Sequence, residues 1–474
     1  MEVPRVRPQP ALGRRSRFWG LRAHLVGNLF PSTPDERATL RRWQLALVLA
    51  ALFVVAIVLQ FARIGWSASL HSLWAEDGSI YVQMSLTHGF WDAVTTTYAT
   101  YLVVVPRLIA EIASLASLSD VPAAVSILSA AIVALSGFAV WVASAAHIRN
   151  PYLRGTLAVL TVLSPVAGKE AVFSATYAPW YMLFASFWLL IWRPATVRGT
   201  VFASGFLLLT GLSTPGVWFF VPLAVLRAAA IQDRRDAAVV GSFAVGALVQ
   251  IPALVLNQEQ QTFDPTWTHD IWTTFLQRVV DGAPLGLWLG GNAWVHLGWP
   301  LLISLVLVWI IGLYAGFKRA GAGARWIAAI AVVTSLAMFV VSLYERAAGD
   351  EMVWPEGTYL GGYRGNRYAI VPALLLVSAA LVLLDSAWRR RPRSQRFAWA
   401  AGLAVALLAV GLVTSFDQRN YALRGDPQWD AALRAAAREC ATHPVSDAPI
   451  TTSPPGWSMR LPCDRIASFA PARN

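Results

Sequence analysis

Long apolar runs separated by short charged segments dominate this chain. Residues 43–62 are apolar almost throughout. Further runs follow at 121–147, 156–168, 178–192, 200–213, 215–229, 238–256, 300–317, 326–343, 368–386 and 397–416. A helix rises 1.5 Å per residue, so roughly 20 apolar residues match the hydrocarbon thickness of a bilayer. The pattern predicts an all-α polytopic membrane protein with about 11 transmembrane helices. Two runs, 156–168 and 200–213, are near the lower limit for spanning, and Ser213-Thr214-Pro215-Gly216 turns tightly between two segments. Short or broken elements are tolerated at membrane depth where protein or a water-filled cavity covers them, which points to a cavity opening on the outer face.

The run at 101–118 is set apart because Pro106, Arg107 and Glu111 interrupt it. If it spanned, every later loop would change sides and Arg149, Arg154, Arg193, Arg198, Lys318 and Arg319 would lie outside. Laid along the outer interface, it leaves 63–120 as one long extracytoplasmic loop carrying interfacial helices. The inner segments are then 1–42, 148–155, 193–199, 227–237, 318–325 and 385–396. They hold 24 of the 38 Lys and Arg and 6 of the 26 Asp and Glu, leaving 14 and 20 for the rest. That asymmetry puts the amino terminus in the cytoplasm and the carboxyl terminus outside a plasma membrane.

Composition agrees: 56% of the 474 residues are hydrophobic and only 14% charged. The net charge of +12 is therefore a topology signal and not a nucleic-acid footprint. Arg389-Arg390-Arg391-Pro392-Arg393 fits an inner loop between two helices. Residues 1–42 read as a basic cytoplasmic tail and 43–416 as the transmembrane domain. Residues 417–474 form a small outer tail, in which Cys440 and Cys463 are expected to pair, as nearby cysteines in an oxidising compartment do. The pairing would contribute about 3 kcal/mol by constraining the unfolded chain.

Candidate chemistry gathers in the outer loops. Glu76 and Asp77 follow the first span within Trp74-Ala75-Glu76-Asp77-Gly78, and ionisable groups where a chain leaves the membrane default to a functional reading. Gly78 would let the backbone turn the Asp77 carboxylate inward. Outer-loop bases are few: Arg107, Lys169, Arg346, Arg364 and Arg367. Arg364 and Arg367 lie at headgroup level just before the span at 368–386. The outer tryptophans, Trp180 among them, fit an interface belt. His88, His269 and His296 are too scattered to suggest metal ligands. Gly361-Gly362-Tyr363-Arg364-Gly365 lacks the strand-to-helix setting of a nucleotide loop.

A cytoplasmic start, one helix and a long acid-bearing outer loop with interfacial helices resemble the GT-C glycosyltransferases. These integral membrane enzymes use polyprenyl-phosphate-linked sugars. Locally the resemblance rests on Trp74-Ala75-Glu76-Asp77, on Tyr98-Ala99-Thr100-Tyr101-Leu102 running into Val105-Pro106-Arg107-Leu108, and on Lys169-Glu170 with Tyr177-Ala178-Pro179-Trp180. It implies transfer of a sugar from a polyprenyl phosphate to a glycan or lipid acceptor of the cell envelope. Asp77 or Glu76 would be the general base, with Asp77 preferred. Glu170 would orient the acceptor or hold a divalent metal, a cofactor that the lack of any Asp-x-Asp motif leaves open. Arg107, Lys169, Arg364 and Arg367 would bind phosphate, and Tyr177 and Trp180 the substrate. A transporter or flippase, or an envelope assembly subunit, stands as the alternative. A transporter would place its key charges inside helices near the midplane, and no internal repeat is evident.

Overall fold

A computed structural model describes residues 27–31, 41–168, 173–256, 270–346, 366–390, 395–417, 428–443 and 446–467. Among them, six helices are long and apolar enough to cross a membrane: Trp43–Ile64, Val121–Ala146, Arg234–Leu256, Trp299–Arg319, Ala322–Leu343 and Arg367–Arg390. The shorter apolar runs form helices below that length. The run at 156–168 is a 12-residue helix, Pro151–Val162, capped by the Asn150 side chain and ended before Ser164. The runs at 178–192 and 200–213 become Ala178–Ile191 (14 residues) and Val197–Gly211 (15 residues). At 1.5 Å per residue these reach only about 20 Å, short of a full bilayer crossing.

Burial ranks the elements. Arg367–Arg390 is the central post, with 89% of its apolar window inside the protein, and every residue of Ala178–Ile191 except Trp180 is buried. Trp43–Ile64 is peripheral, with 11% of its window buried. Its end is fixed by Arg63, whose guanidinium donates to the carbonyls of Ser164 and Ala167 at 3.0 Å and of Ser415 at 3.3 Å. Those carbonyls lie just past two helix ends, where backbone acceptors lack intrahelical partners. The first long helix is thereby tied to the segment that follows Pro151–Val162.

The segment after the first span is a chain of short helices: Trp66–Leu70, a π-helix at Asp77–Val82, then Gln83–Thr87, Phe90–Thr95 and Val104–Ala113. The last has 10 residues, and one face of it, including Arg107, is buried. The carboxyl-terminal tail forms the helix Trp429–Thr442 and an antiparallel pair, β1 (Asp447–Thr452) and β2 (Trp457–Pro462), with Cys440 and Cys463 joined. This cap sits against the short helices that follow the first long one. Trp429 donates from its backbone to His71 O and from Nε1 to Leu118 O, and Trp74 bridges to Ser453. The two residues ahead of Glu76 are therefore braced by the far end of the chain.

Candidate active site

A cavity of about 880 Å³ opens where these parts meet. Its walls come from the segment after the first long helix (Glu76 and Tyr98 to Tyr101), the turn before Ala178–Ile191 (Thr176, Tyr177), Trp180, the 3₁₀ stretch around Trp218, and Arg367 with Tyr368. Leu254, Met338 and Val341, from two spanning helices, add an apolar wall. Among the described residues, Glu76 and Arg367 are the charged side chains that line it.

Glu76 and Asp77 are adjacent but placed differently. Glu76 is half-buried on the cavity wall; its Oε1 accepts a long bond of 3.5 Å from the Tyr98 hydroxyl, and its Oε2 has no protein partner among the described residues. Asp77 is 1% exposed and does not line the cavity. Its Oδ1 accepts from the Thr176 N–H (3.0 Å), the Thr176 hydroxyl (2.9 Å) and the Ser174 hydroxyl (3.2 Å), and its Oδ2 from the Ala175 N–H (3.1 Å). The first N–H groups of a helix have no intrahelical acceptors, and an acid there also meets the favourable end of the helix dipole. Asp77 thus caps, from a distant segment, the helical stretch starting at Ala175. Burial pushes its carboxyl up to about 7 against the pull of these bonds, with Glu76 adding a smaller push in the same direction.

Gly78 plays a different part from the turning role expected of it. It lies inside the π-helix, and a Cβ there would come within 2.6 Å of Thr452 Cγ2. The absent side chain lets the cap approach the acid pair; it does not aim Asp77 at the cavity.

Arg367 opens the central helix. Its guanidinium donates to the Tyr177 hydroxyl at 2.7 Å and the Tyr368 hydroxyl at 3.2 Å, and it lies 5.3 Å and 4.9 Å from the centroids of those rings. Trp180 meets Tyr368 edge to face at 5.5 Å. Tyr177, Trp180 and Arg367 therefore form one group. Arg107 is set apart: it is 2% exposed and absent from the cavity wall, with contacts to Met84 Sδ (3.1 Å), Thr97 O (3.5 Å) and the Tyr81 ring (5.4 Å). Lys169, Glu170 and Arg364 lie outside the described residues. Among the described residues, no three acidic, His or Cys side chains cluster as metal ligands, and both Asp77 oxygens are taken by donors.

The shape of one stretch already quoted for the resemblance, and one residue not singled out, add to the site. Tyr98 to Tyr101 is a tight turn closed by reciprocal backbone bonds of 2.9 Å and 3.2 Å, with Ala99 at φ 49° and Thr100 at φ 76°. Such values are uncommon for residues other than glycine, and strain of roughly 1–3 kcal/mol per residue collects at functional walls. Gln250, on Arg234–Leu256 and fully buried, holds the turn's exit. Its Oε1 accepts from Leu102 N–H at 3.0 Å, and its Nε2 donates to Leu102 O at 3.1 Å and Gly211 O at 2.9 Å. The available signal was an uncharged polar group inside an apolar run.

No family model matches the sequence, and no curated protein matches it. Two crystal structures of the Archaeoglobus fulgidus oligosaccharyltransferase are similar to this chain. One, in complex with Zn and sulfate, aligns at 12% identity and a TM-score of 0.40 over 83% of this chain and 56% of that one. The other, tethered through a disulfide bond to an acceptor peptide containing the NVT sequon, aligns at 12% identity and a TM-score of 0.41 over 85% and 58%. The chain thus covers little more than half the length of those structures. A likeness this faint carries no functional weight.

Proposed function

We propose that this protein is a membrane glycosyltransferase that moves a sugar from a polyprenyl-phosphate donor to an acceptor hydroxyl at the outer face of the membrane. The observation that carries the reading is the joint presence of Glu76 and Arg367 on one cavity that also has a hydrocarbon wall. Sugar transfer to a hydroxyl needs a group to take the acceptor proton and positive charge where the leaving phosphate gathers negative charge. A lipid-linked donor further needs apolar surface at the edge of the site, which Leu254, Met338 and Val341 offer.

In this reading Glu76 is the general base, with Tyr98 orienting its Oε1. Arg367, steered by the phenols of Tyr177 and Tyr368, binds the donor phosphate through its planar fork. Asp77 moves from base to brace, since its oxygens are engaged and face away from the cavity. Arg107 supports Thr97, ahead of the turn, in place of binding phosphate. Lys169, Glu170 and Arg364 are proposed to complete the phosphate and acceptor contacts. As the bond from the anomeric carbon to the phosphate oxygen breaks, the acceptor oxygen bonds to that carbon from the other side. The acceptor proton passes to Glu76 and the polyprenyl phosphate departs.

A polyprenyl phosphate with a photoreactive group on its first isoprene units tests the donor side. Crosslinks within Arg234–Leu256 or Ala322–Arg346 that weaken in Arg367→Ala are expected. Labelling elsewhere, or labelling indifferent to Arg367, would overturn the donor assignment.

A further inference from the structure

Beside Glu76, the cavity wall is made of neutral groups. The Tyr98–Tyr101 turn contributes all four of its residues, and Thr176 and Trp218 complete that part of the lining. The two central residues of the turn have positive φ, and among the described residues no hydrogen bond takes up the N–H groups of Ala99 and Thr100. A half-buried strand-like edge would normally satisfy such donors, because an unpaired N–H shielded from water costs free energy. Here both lie on a cavity wall, and Gln250 holds Leu102, just after the turn, through two hydrogen bonds. The lining that the turn contributes is therefore neutral, with Tyr98 and Tyr101 on either side of Ala99 and Thr100. Trp218, 39% exposed, adds a further aromatic surface to the same cavity.

Charge selects the ligand class. Arg367 is the only cation on the wall among the described residues, and its contacts are with the Tyr177 and Tyr368 side, where the donor phosphate is placed above. Among the described residues, an anionic acceptor headgroup would bring a second negative charge to the carboxylate of Glu76 in a partly desolvated site, with Arg367 alone to offset both it and the donor phosphate. An uncharged polyol meets no such penalty. Its hydroxyl groups match the polar groups of the turn, and its C–H faces match the negative faces of aromatic rings.

We infer that the acceptor is an uncharged carbohydrate, seated on the Tyr98–Tyr101 turn with the reacting hydroxyl at Glu76; this rests on the glycosyltransferase reading above. The hydroxyl oxygen forms the new bond to the anomeric carbon, its proton goes to Glu76, and the electron pair of the broken carbon–oxygen bond leaves with the polyprenyl phosphate.

The test uses the full chain in phosphatidylcholine nanodiscs, with two acceptor classes as probes: octyl di- and trisaccharides, and the anionic lipids phosphatidylinositol and phosphatidylglycerol. Binding is read as ligand-dependent thermal stabilisation, and transfer with a panel of radiolabelled polyprenyl-phosphate sugars. The expected result is saturable stabilisation by a neutral saccharide, label transferred to that saccharide, and about a tenfold weaker saccharide affinity in Tyr101→Ala with donor KM unchanged. Tyr101→Phe, which keeps the ring, should bind within about twofold of the parent and so separates loss of the stacking face from loss of fold. Saccharide binding without transfer from any donor would keep the subsite and sink the enzymatic reading. Stabilisation or labelling confined to the anionic lipids would overturn the inference and leave the enzymatic reading standing. Failure of every saccharide to bind would likewise overturn the inference.

Discussion

Thr176 donates both its backbone N–H and its hydroxyl to Asp77 Oδ1, at 3.0 Å and 2.9 Å. With Ser174 and Ala175, this anchors the stretch before Ala178–Ile191 to the residue next to Glu76. Removing one partner of a buried hydrogen-bonded group leaves the others unsatisfied, at roughly 1–3 kcal/mol per group. Asp77→Ala should therefore lower the melting temperature of the detergent-purified protein by several degrees and reduce transfer through lost geometry. An Asp77→Ala protein that melts like the parent would remove the bracing role.

Asp77 also sets an expectation for pH. Its carboxyl is pushed up to about 7 in the folded protein, above the ordinary value near 4 for a free aspartate. The folded chain then holds a proton that the unfolded chain releases between about pH 4 and 7, so stability from this group is full at the acid end and falls as pH rises through about 7. Melting followed from pH 5 to 8 should show a decline in the parent that is flattened in Asp77→Asn. Parallel curves for the two proteins would contradict the shift.

Arg367 is tested by shape as well as charge. Arg367→Ala should weaken donor affinity by about 1.5–3 kcal/mol, the range for hydrogen bonds to charged groups. Arg367→Lys should recover only part of this, because an ammonium keeps the charge without the planar fork. Full recovery by lysine would mean that Arg367 supplies field alone, and unchanged affinity in both would return it to headgroup anchoring.

Gln250 sits inside a spanning helix yet bonds only to backbone, on Leu102 and Gly211. The approach is possible because Gly211 and Gly246 touch; a Cβ on Gly211 would lie 2.7 Å from Gly246 Cα. Gln250→Leu should raise the acceptor KM by about tenfold with donor KM unchanged, as expected when an acceptor wall loosens and the phosphate site does not. Equal losses on donor and acceptor would mark Gln250 as a general packing residue.

How much of this was written in the sequence divides along physical lines. Apolar runs reveal long helices directly, because burying an uninterrupted apolar stretch in lipid depends on local composition alone. The short helices were harder: Pro151 and Asn150 start one early, and the stretch after Val162 turns although its residues are apolar. Glu76, Tyr177, Trp180 and Arg367 could be singled out by type and place, whereas their sharing of one cavity could not, since it depends on contacts between residues about 100 to 290 positions apart. The different placement of Glu76 and Asp77 was equally invisible. Neighbouring carboxylates look alike in a sequence, and only the N–H groups of Ala175 and Thr176, supplied from another loop, draw one of them away from the cavity.

The most direct test of the account compares Glu76→Gln with the parent in single-turnover transfer from a polyprenyl-phosphate sugar, with donor binding and melting temperature measured on the same preparations. Loss of a general base should slow the chemical step by roughly 10²- to 10⁴-fold. The account predicts that loss together with parental donor affinity and stability, because Glu76 makes a single long bond, from Tyr98, among the described residues. A Glu76→Gln protein that transfers sugar at the parental rate would contradict it.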